Sequence, residues 1–354
     1  MSARWRTLTA HPLFWPVMVL LALIVANVVY RPSFVSIEVR DGHLYGSLID
    51  IVRLSAPLIL VGLGMTLVIA TGGIDLSVGS VVAISGAIAC LRISEQSNQN
   101  AVGGVLVAVV LGVLLATLLG IGNGVLVAGI GIQPIIATLI LMVAGRGLAQ
   151  LITEGQIITI NSSPYKLIGG GYVLAVPFAI LVAAAVTVLT WALTRRTALG
   201  MIIESVGGNA EASRLAGIRS RRFMLFVYAF SAFCAGIAGL MVTSDVSSAD
   251  GNNAGLWIEL DAILAVVIGG TSLAGGRFSI SGTVIGALLI QTLTTTVYAM
   301  NISTQTSLLF KAMVVIAVCL IQAPKFRATL ARRRRRPPAA PVVLEKASKV
   351  EVAA

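Results

Sequence analysis

RRTALGMIIESVGGNAEASRLAGIRSRR, residues 195–222, is the one long charged island in the middle of an otherwise apolar chain. Within it, Asn209 is placed to cap a short helix, because its side chain can accept an orphan backbone N–H. Glu211 falls in the first turn, where the helix dipole favours an anion. Gly217 stands where a left-handed residue ends a helix. The predicted helix, Ala210 to Ala216, is only about two turns long. Helices that short are not stable alone in water, so this one must dock on something. Arg195, Arg196, Arg219, Arg221 and Arg222 place the island on the cytoplasmic side of a membrane. It reads either as an element that takes a push from a cytoplasmic partner and passes it to nearby membrane helices, or as a basic loop that only fixes topology.

The flanking chain supplies the membrane. Of its 354 residues, 57% are hydrophobic and 11% charged, with mean hydropathy +0.97. Soluble domains are roughly 25% charged, so an ordinary soluble core is excluded. Apolar runs near the spanning length of roughly 20 residues centre on 13–30, 56–71, 78–92, 102–121, 134–153, 173–194, 223–244, 261–275, 279–299 and 308–323. The expected fold is an all-α integral membrane protein of about ten transmembrane helices. Arg4 and Arg6 before the first run suggest a signal peptide, but no small-residue cleavage site follows, so an uncleaved first helix is expected.

With the N-terminus inside, 18 of the 25 Lys and Arg lie inside. Arg31, Arg40, Arg53, Arg92 and Lys166 lie outside, and Arg146 and Lys311 fall within spans. The reverse orientation inverts that bias. The net charge of +11 is therefore positive-inside patterning, not a nucleic-acid surface. Residues 1–323 are expected to form the transmembrane domain, with 195–222 as its cytoplasmic segment. Residues 324–354, with Arg332–Arg336 followed by Pro337 and Pro338, read as a disordered basic tail against anionic lipid headgroups.

No catalytic constellation is present. Cys90, Cys234 and Cys319 sit inside apolar runs and read as packing residues. His11 and His43 are too far apart in sequence to suggest a metal site. None of the five lysines follows a glycine, so the chain has no phosphate-binding loop of the Gly-Lys-Ser/Thr type. If ATP is used, another chain binds it.

The polar interruptions of the apolar runs are the candidate functional positions. In GGIDLSVGS (72–80), Gly72 and Gly73 permit unusual backbone angles, while Asp75 and Ser77 are expected to cap the next helix. This is either a discontinuous helix beside a substrate path or a plain capped turn. GGTSLAGGR (269–277) resembles it weakly, as a parallel internal repeat or as glycine-rich coincidence. Gly122-Asn123-Gly124 and Gln133-Pro134 form a second polar break. Asn123 either faces a polar cavity or bonds across helices, and the second reading is preferred. Arg146, in AGRGLAQ, needs protein, water or a partner, and Lys311 is expected to snorkel. In ADGNNAGLWIELDA (249–262), Asn252 and Asn253 either turn the chain or meet a periplasmic partner, and Trp257 is an interfacial residue.

Taken together, TGGIDLSVGS (71–80), GNGVLVA (122–128), QPIIATLILMVAGRGLAQ (133–150), TALGMIIESVGGNAEASRLAGI (197–218) and ELDAILAVVIGGTSLAGGRF (259–278) resemble the permease subunits of ribose-type bacterial ABC sugar importers. The resemblance covers nearly the whole chain except the tail. LITEGQIITIN (151–161) and ADGNNAGLWIELDAILAVVIGG (249–270) are most similar to the galactofuranose permeases.

The resemblance implies the type II ABC importer permease fold in the bacterial inner membrane, with both termini cytoplasmic. It also implies a second permease chain, identical or not, an ATPase subunit that holds Mg-ATP, and a periplasmic sugar-binding protein. The family's coupling helix falls on Gly207 to Ile218, so Gly208, Asn209, Glu211, Ala212, Arg214, Gly217 and Ile218 become the candidate ATPase contacts. Asp75, Ser77, Asn123, Gln133 and Arg146 are candidates for the path, and Asn252, Asn253 and Trp257 for binding-protein docking. Where the family often has a Tyr or Phe-Ala-Ile run before GGN, this chain has Ile203-Glu204-Ser205-Val206, read as variation in coupling contacts. An ion-coupled secondary transporter is the alternative, but only Asp75 and Asp261 approach the paired intramembrane acids it would be expected to show. A non-transporting membrane protein would not need the polar breaks.

Overall fold

An apolar chain in lipid must satisfy its backbone polar groups internally, which favours helices. The computed structural model describes residues 13–300 except Asp41, together with residues 306, 309, 311–313 and 316. The helices are α1 (Phe14–Tyr30), α2 (Ser47–Ala70), α3 (Val78–Ser94), α4 (Val102–Gly124), α5 (Pro134–Ile152), α6 (Ser163–Gly170), α7 (Phe178–Arg196), α8 (Leu199–Gly208), α9 (Ala210–Leu215), α10 (Ser220–Val246), α11 (Ile258–Ile268) and α12 (Ile280–Ala299). Among the described residues, 6 helices are long and apolar enough to cross a membrane: α2, α4, α5, α7, α10 and α12. The first nine expected spans each correspond to a helix. The tenth, 308–323, the tail, His11 and Cys319 lie wholly or mostly outside the described residues.

Helix α10 is the centre of the bundle and packs on α2, α3 and α4. Small residues make this possible. A Cβ at Gly64 would lie 2.6 Å from the Ser231 Cα, and one at Gly239 would lie 2.3 Å from the Val82 carbonyl oxygen. Such close backbone approach drives helix association where lipid supplies no hydrophobic force.

Several expected boundaries are corrected. Helix α2 starts at Ser47, earlier than the expected 56, because Asp50 and Arg53 lie within a helix that also contains Pro57. The polar side chains hid its first turns from an apolar count. Residues 122–124 do not break the chain: α4 continues as a π-helix over Val125–Ile130 and ends at Gly131, with φ 88°. The sixth span begins at Phe178, because Tyr172–Val173 and Val176–Pro177 pair as a hairpin.

The eighth span is the largest departure. Helix α11 has only 11 residues, about 16 Å, against a hydrocarbon core of about 30 Å. It is a half-length helix that begins inside the bundle. A Cβ on Gly79, in the first turn of α3, would lie 2.2 Å from Glu259 Oε2 and 2.7 Å from the Gly255 carbonyl oxygen. The first turns of α3 and α11 therefore meet. Asp75, just before α3, bonds to Ser231 near the middle of α10.

One end of the bundle carries short antiparallel pairs: Glu38–Arg40 with His43–Tyr45, and Ile157–Thr159 with Ser248–Asp250. Leu44 N–H donates to the Ala175 carbonyl at 3.0 Å, joining the first pair to the 172–177 hairpin. The opposite end carries α8 and α9.

Candidate functional site

The short helix α9 forms as its sequence dictates. Asn209 Oδ1 accepts from the Ala212 N–H at 2.9 Å, a side-chain cap. At the other end Gly217 has φ 85°. Its N–H donates to the Arg214 carbonyl and the Ile218 N–H to the Ser213 carbonyl, both at 3.0 Å. That pair of bonds is the Schellman ending. Glu211 in the first turn meets Arg214, with Nη2 donating to Oε1 at 2.6 Å, and this hydrogen bond holds the Glu211 carboxyl below its usual range. Ser213 faces inward, whereas Gly208, Ala212, Ala216 and Gly217 are exposed and Ile218 is half-buried. Two apolar side chains project beside them: Leu215 is 77% exposed and Met201 71%. The sequence reading passed over both. The available signal was a leucine in a segment otherwise rich in arginine and small residues.

Gly207 links this helix pair to the membrane. An added Cβ there would stand 1.8 Å from the Ala70 carbonyl oxygen and 2.7 Å from the Gly276 nitrogen. The Gly276 N–H donates to that same Ala70 carbonyl at 3.0 Å. Thus the end of α8, the end of α2 and the turn between α11 and α12 meet at one point. Arg195 braces the joint: its guanidinium lies over the Phe278 ring at 5.3 Å and donates to the Phe278 carbonyl at 3.3 Å. A basic residue that sequence treats as a topology signal is here a packing contact as well.

The two glycine motifs flank this joint, and their likeness extends to geometry. Helix α2 ends with Gly72 (φ 82°), whose N–H donates to the Ile69 carbonyl while Gly73 donates to Val68. Helix α11 ends with Gly270 (φ 89°), whose N–H donates to Val267 while Thr271 donates to Val266. Both are Schellman endings. The structural match pairs Gly72 with Gly270, one residue away from the sequence match of Gly72 with Gly269.

Above the joint lies a buried polar cluster. Asp75 Oδ1 accepts from the Ser77 hydroxyl at 2.6 Å and the Ser77 N–H at 3.1 Å, and Oδ2 accepts from the Ser231 hydroxyl at 2.9 Å. Asn123 Nδ2 donates to Ser77 Oγ at 2.9 Å. Asp75, Ser77 and Asn123 are each 1% exposed. The expected cap is corrected here. Asp75 does not accept from the free N–H groups inside α3, and Ser77 makes no side-chain cap bond. Instead the carboxylate fastens the turn to α10, and Ser77 carries the connection to α4. Among the described residues the buried Tyr228 hydroxyl has no hydrogen-bond partner, and a Cβ at Gly73 would lie 2.5 Å from it. Ser231 and Tyr228 sit in apolar runs, so nothing local in the sequence singled them out.

Arg146 belongs to a second group. Its Nη1 donates to the Ala254 carbonyl at 2.7 Å, with the Gly251 and Asn252 carbonyls at 3.4 Å. Gln150 Nε2 donates to Asn252 Oδ1 at 2.7 Å, and Asp250 accepts from Asn253 Nδ2 at 2.7 Å. Trp257, 53% exposed and at φ 66°, immediately precedes α11. Arg146 thus shares a site with the loop holding Asn252 and Asn253. Gln133 joins neither group. It is exposed before α5 and makes no cap bond. Among the described residues, no group of His, Cys, Asp and Glu could hold a metal ion.

Removing the Asp75 carboxylate leaves the Ser77 and Ser231 donors without their acceptor, a loss of about 2–3 kcal/mol. Asp75→Ala is expected to lower the melting temperature of the detergent-solubilised protein, and Asp75→Asn, which keeps an acceptor, to recover most of it. An unchanged melting temperature in Asp75→Ala rules out the fastening role.

Residues 47–319 match a family described as branched-chain amino acid transport system / permease component. The chain is 48% identical to the galactofuranose transporter permease protein YtfT of Escherichia coli, over 88% of this chain and 91% of that one. It is 38% identical to the fructose import permease protein FruF of Bifidobacterium longum, over 94% and 93% of the two chains. The ribose import permease protein RbsC of Escherichia coli is 36% identical, over 86% and 92%. No solved structure matches. With glycine turns meeting the short helix pair α8 and α9, half-length α11 among long apolar helices, and similarity along nearly its whole length, the chain belongs to the branched-chain amino acid transport system / permease component family.

Proposed function

We propose that the chain is the membrane-spanning subunit of an ATP-driven sugar importer in a bacterial inner membrane. It has the type II importer fold of about ten spans and carries galactofuranose or a related pentose or hexose. The observation that carries this reading is the near full-length similarity to a galactofuranose permease, with fructose and ribose permeases behind it. In this reading both termini are cytoplasmic, and α9 docks on an ATPase subunit through Asn209, Glu211, Ala212, Arg214, Gly217 and Ile218, with Gly208 at its base. The opposite end, with Asn252, Asn253 and Trp257, receives a periplasmic sugar-binding protein. A second permease chain, identical or not, completes the pore. Asp75, Ser77, Asn123, Gln133 and Arg146 lie along or support the path. Mg-ATP is held by the partner subunit.

Transport in vesicles tests the reading. Accumulation of a radiolabelled monosaccharide presented on its binding protein is expected to require ATP on the face bearing residues 195–222. It is expected to persist when an uncoupler collapses the proton gradient. Accumulation that needs the gradient and not ATP would make the protein an ion-coupled secondary transporter.

A further inference from the structure

At the end opposite α9, a cavity of about 470 Å³ lies between α2, α10, α11 and α12. That volume falls in the range of small-molecule sites. Its lining includes Arg53 from α2, Asp245 from α10, Asp261 from α11, and Gln291 and Tyr298 from α12, with Asn253 from the preceding loop. Of these, the sequence singles out Asn253 as a docking candidate and Asp261 only as an acid an ion-coupled transporter would use.

Two ion pairs border the cavity. Arg53 Nη1 meets Asp245 Oδ1, and Lys311 Nζ meets Asp261 Oδ2 at 3.0 Å. The four side chains keep between 18% and 31% of their surface accessible. Charges at membrane depth are tolerated where they face water or one another, so the cavity is wet. Asp50 also meets Arg53, Nε to Oδ1 at 3.7 Å, so three acids face two cations here, a balance that favours hydroxyl donors over an anion. Asp245 Oδ2 and Asp261 Oδ1 accept no hydrogen bond from either partner.

Gln291 carries the inference further. It interrupts the apolar run of α12, half-buried, and its amide makes no hydrogen bond among the described residues. An amide in a span ordinarily bonds across helices. This one instead lines the cavity together with Asp245 and Asp261. Tyr298, 60% exposed, offers a ring at the rim. Carboxylate acceptors, an amide that both donates and accepts, and an aromatic face suit a neutral polyol.

We propose that this cavity is a monosaccharide subsite on the entry side of the permease, in which Gln291, Asp245 and Asp261 hydrogen-bond to sugar hydroxyls. The assignment rests on the reading of the chain as a sugar permease. It adds a place where sugar pauses after leaving its binding protein.

The test uses the assembled importer in vesicles. Gln291→Leu removes every hydrogen bond that side chain can make at little change in volume, and is expected to lower sugar uptake about fivefold with the amount of complex unchanged. In a variant with Cys90, Cys234 and Cys319 replaced by alanine, Gln291→Cys is expected to react with a charged thiol reagent, and loading with sugar to slow that reaction. Val188→Cys, on an exposed position of α7, is expected to stay unreactive in lipid. Uptake by Gln291→Leu within twofold of wild type, or a cysteine at 291 as unreactive as one at 188, overturns the subsite. Wild-type vesicles that accumulate no sugar would instead overturn the transport reading, and the cysteine reactivity would still show whether the cavity is wet.

Discussion

Gly207→Val is expected to abolish stimulated ATP hydrolysis by the assembled importer while its membrane helices remain folded. The reason is steric and local. A Cβ at this position falls 1.8 Å from the Ala70 carbonyl oxygen and 2.7 Å from the Gly276 nitrogen. Both are backbone atoms, already joined by the 3.0 Å hydrogen bond between them, and neither can swing aside as a side-chain tip can. Accommodation therefore requires α8 to move off the end of α2 and the turn between α11 and α12. Forcing extra atoms into a tight contact costs about 1–3 kcal/mol, enough to displace a short element without unfolding a bundle. Displacement separates α9 from the two glycine turns it would drive. Gly122→Ala is the matched control, since nothing lies within 4 Å of its added Cβ. ATP hydrolysis with and without sugar-loaded binding protein checks the expectation. Wild-type stimulation in a fully assembled Gly207→Val complex would remove this contact from the transmission route.

The other large effect is expected at Leu215. A six-residue helix offers few side chains to a partner, and here the most exposed apolar one is Leu215, at 77%. Arg214 and Arg219 flank it in sequence. Central apolar anchors ringed by polar groups carry most of an interface's energy, with truncation costing about 2 kcal/mol or more. Leu215→Asp adds a charge that must be desolvated on docking. Binding of the ATPase subunit is therefore expected to weaken at least about thirtyfold. Ala212→Trp acts by bulk: Ala212 is exposed beside the cap made by Asn209, and an indole there holds the helix out of a cleft. In both variants the opposite end, with its hairpins and the 250–257 loop, is unaffected. ATPase subunit retained on detergent-solubilised, affinity-purified permease measures the loss. Full retention by Leu215→Asp would show that the exposed leucine is not an anchor.

How much of this was legible depended on whether the determining contacts were local. The ends of α9 could be read because a cap and a Schellman ending are set by residues three to six apart, here Asn209 with Ala212 and Ser213 with Ile218. Apolar length likewise located the membrane helices. The start of α2 was missed because Asp50 and Arg53 look like loop residues until Asp245, almost two hundred positions later, pairs with the arginine. Half-length α11 reads as a span in the sequence because apolar composition continues past its end, while the Gly270 turn that stops it registers only as a glycine. The role of Gly207 was invisible, since its value is an absent side chain at a three-way backbone contact. Asp75 stands out in the sequence, but its partner Ser231, and the Asn123 that bonds to Ser77, come from helices whose register no local pattern fixes.

The 195–222 segment is expected to meet an ATPase subunit on one side of the membrane, while the loop around Trp257 lies on the other. Photocrosslinking from two positions tests it most directly. Leu215→p-benzoylphenylalanine and Trp257→p-benzoylphenylalanine would each be introduced into the importer in intact membranes and irradiated, and the crosslinked product identified by mass. An ATPase-subunit adduct is expected from position 215 and none from position 257, where the adduct is to the periplasmic binding protein. An ATPase adduct from position 257, or a binding-protein adduct from position 215, would contradict both the orientation and the coupling role.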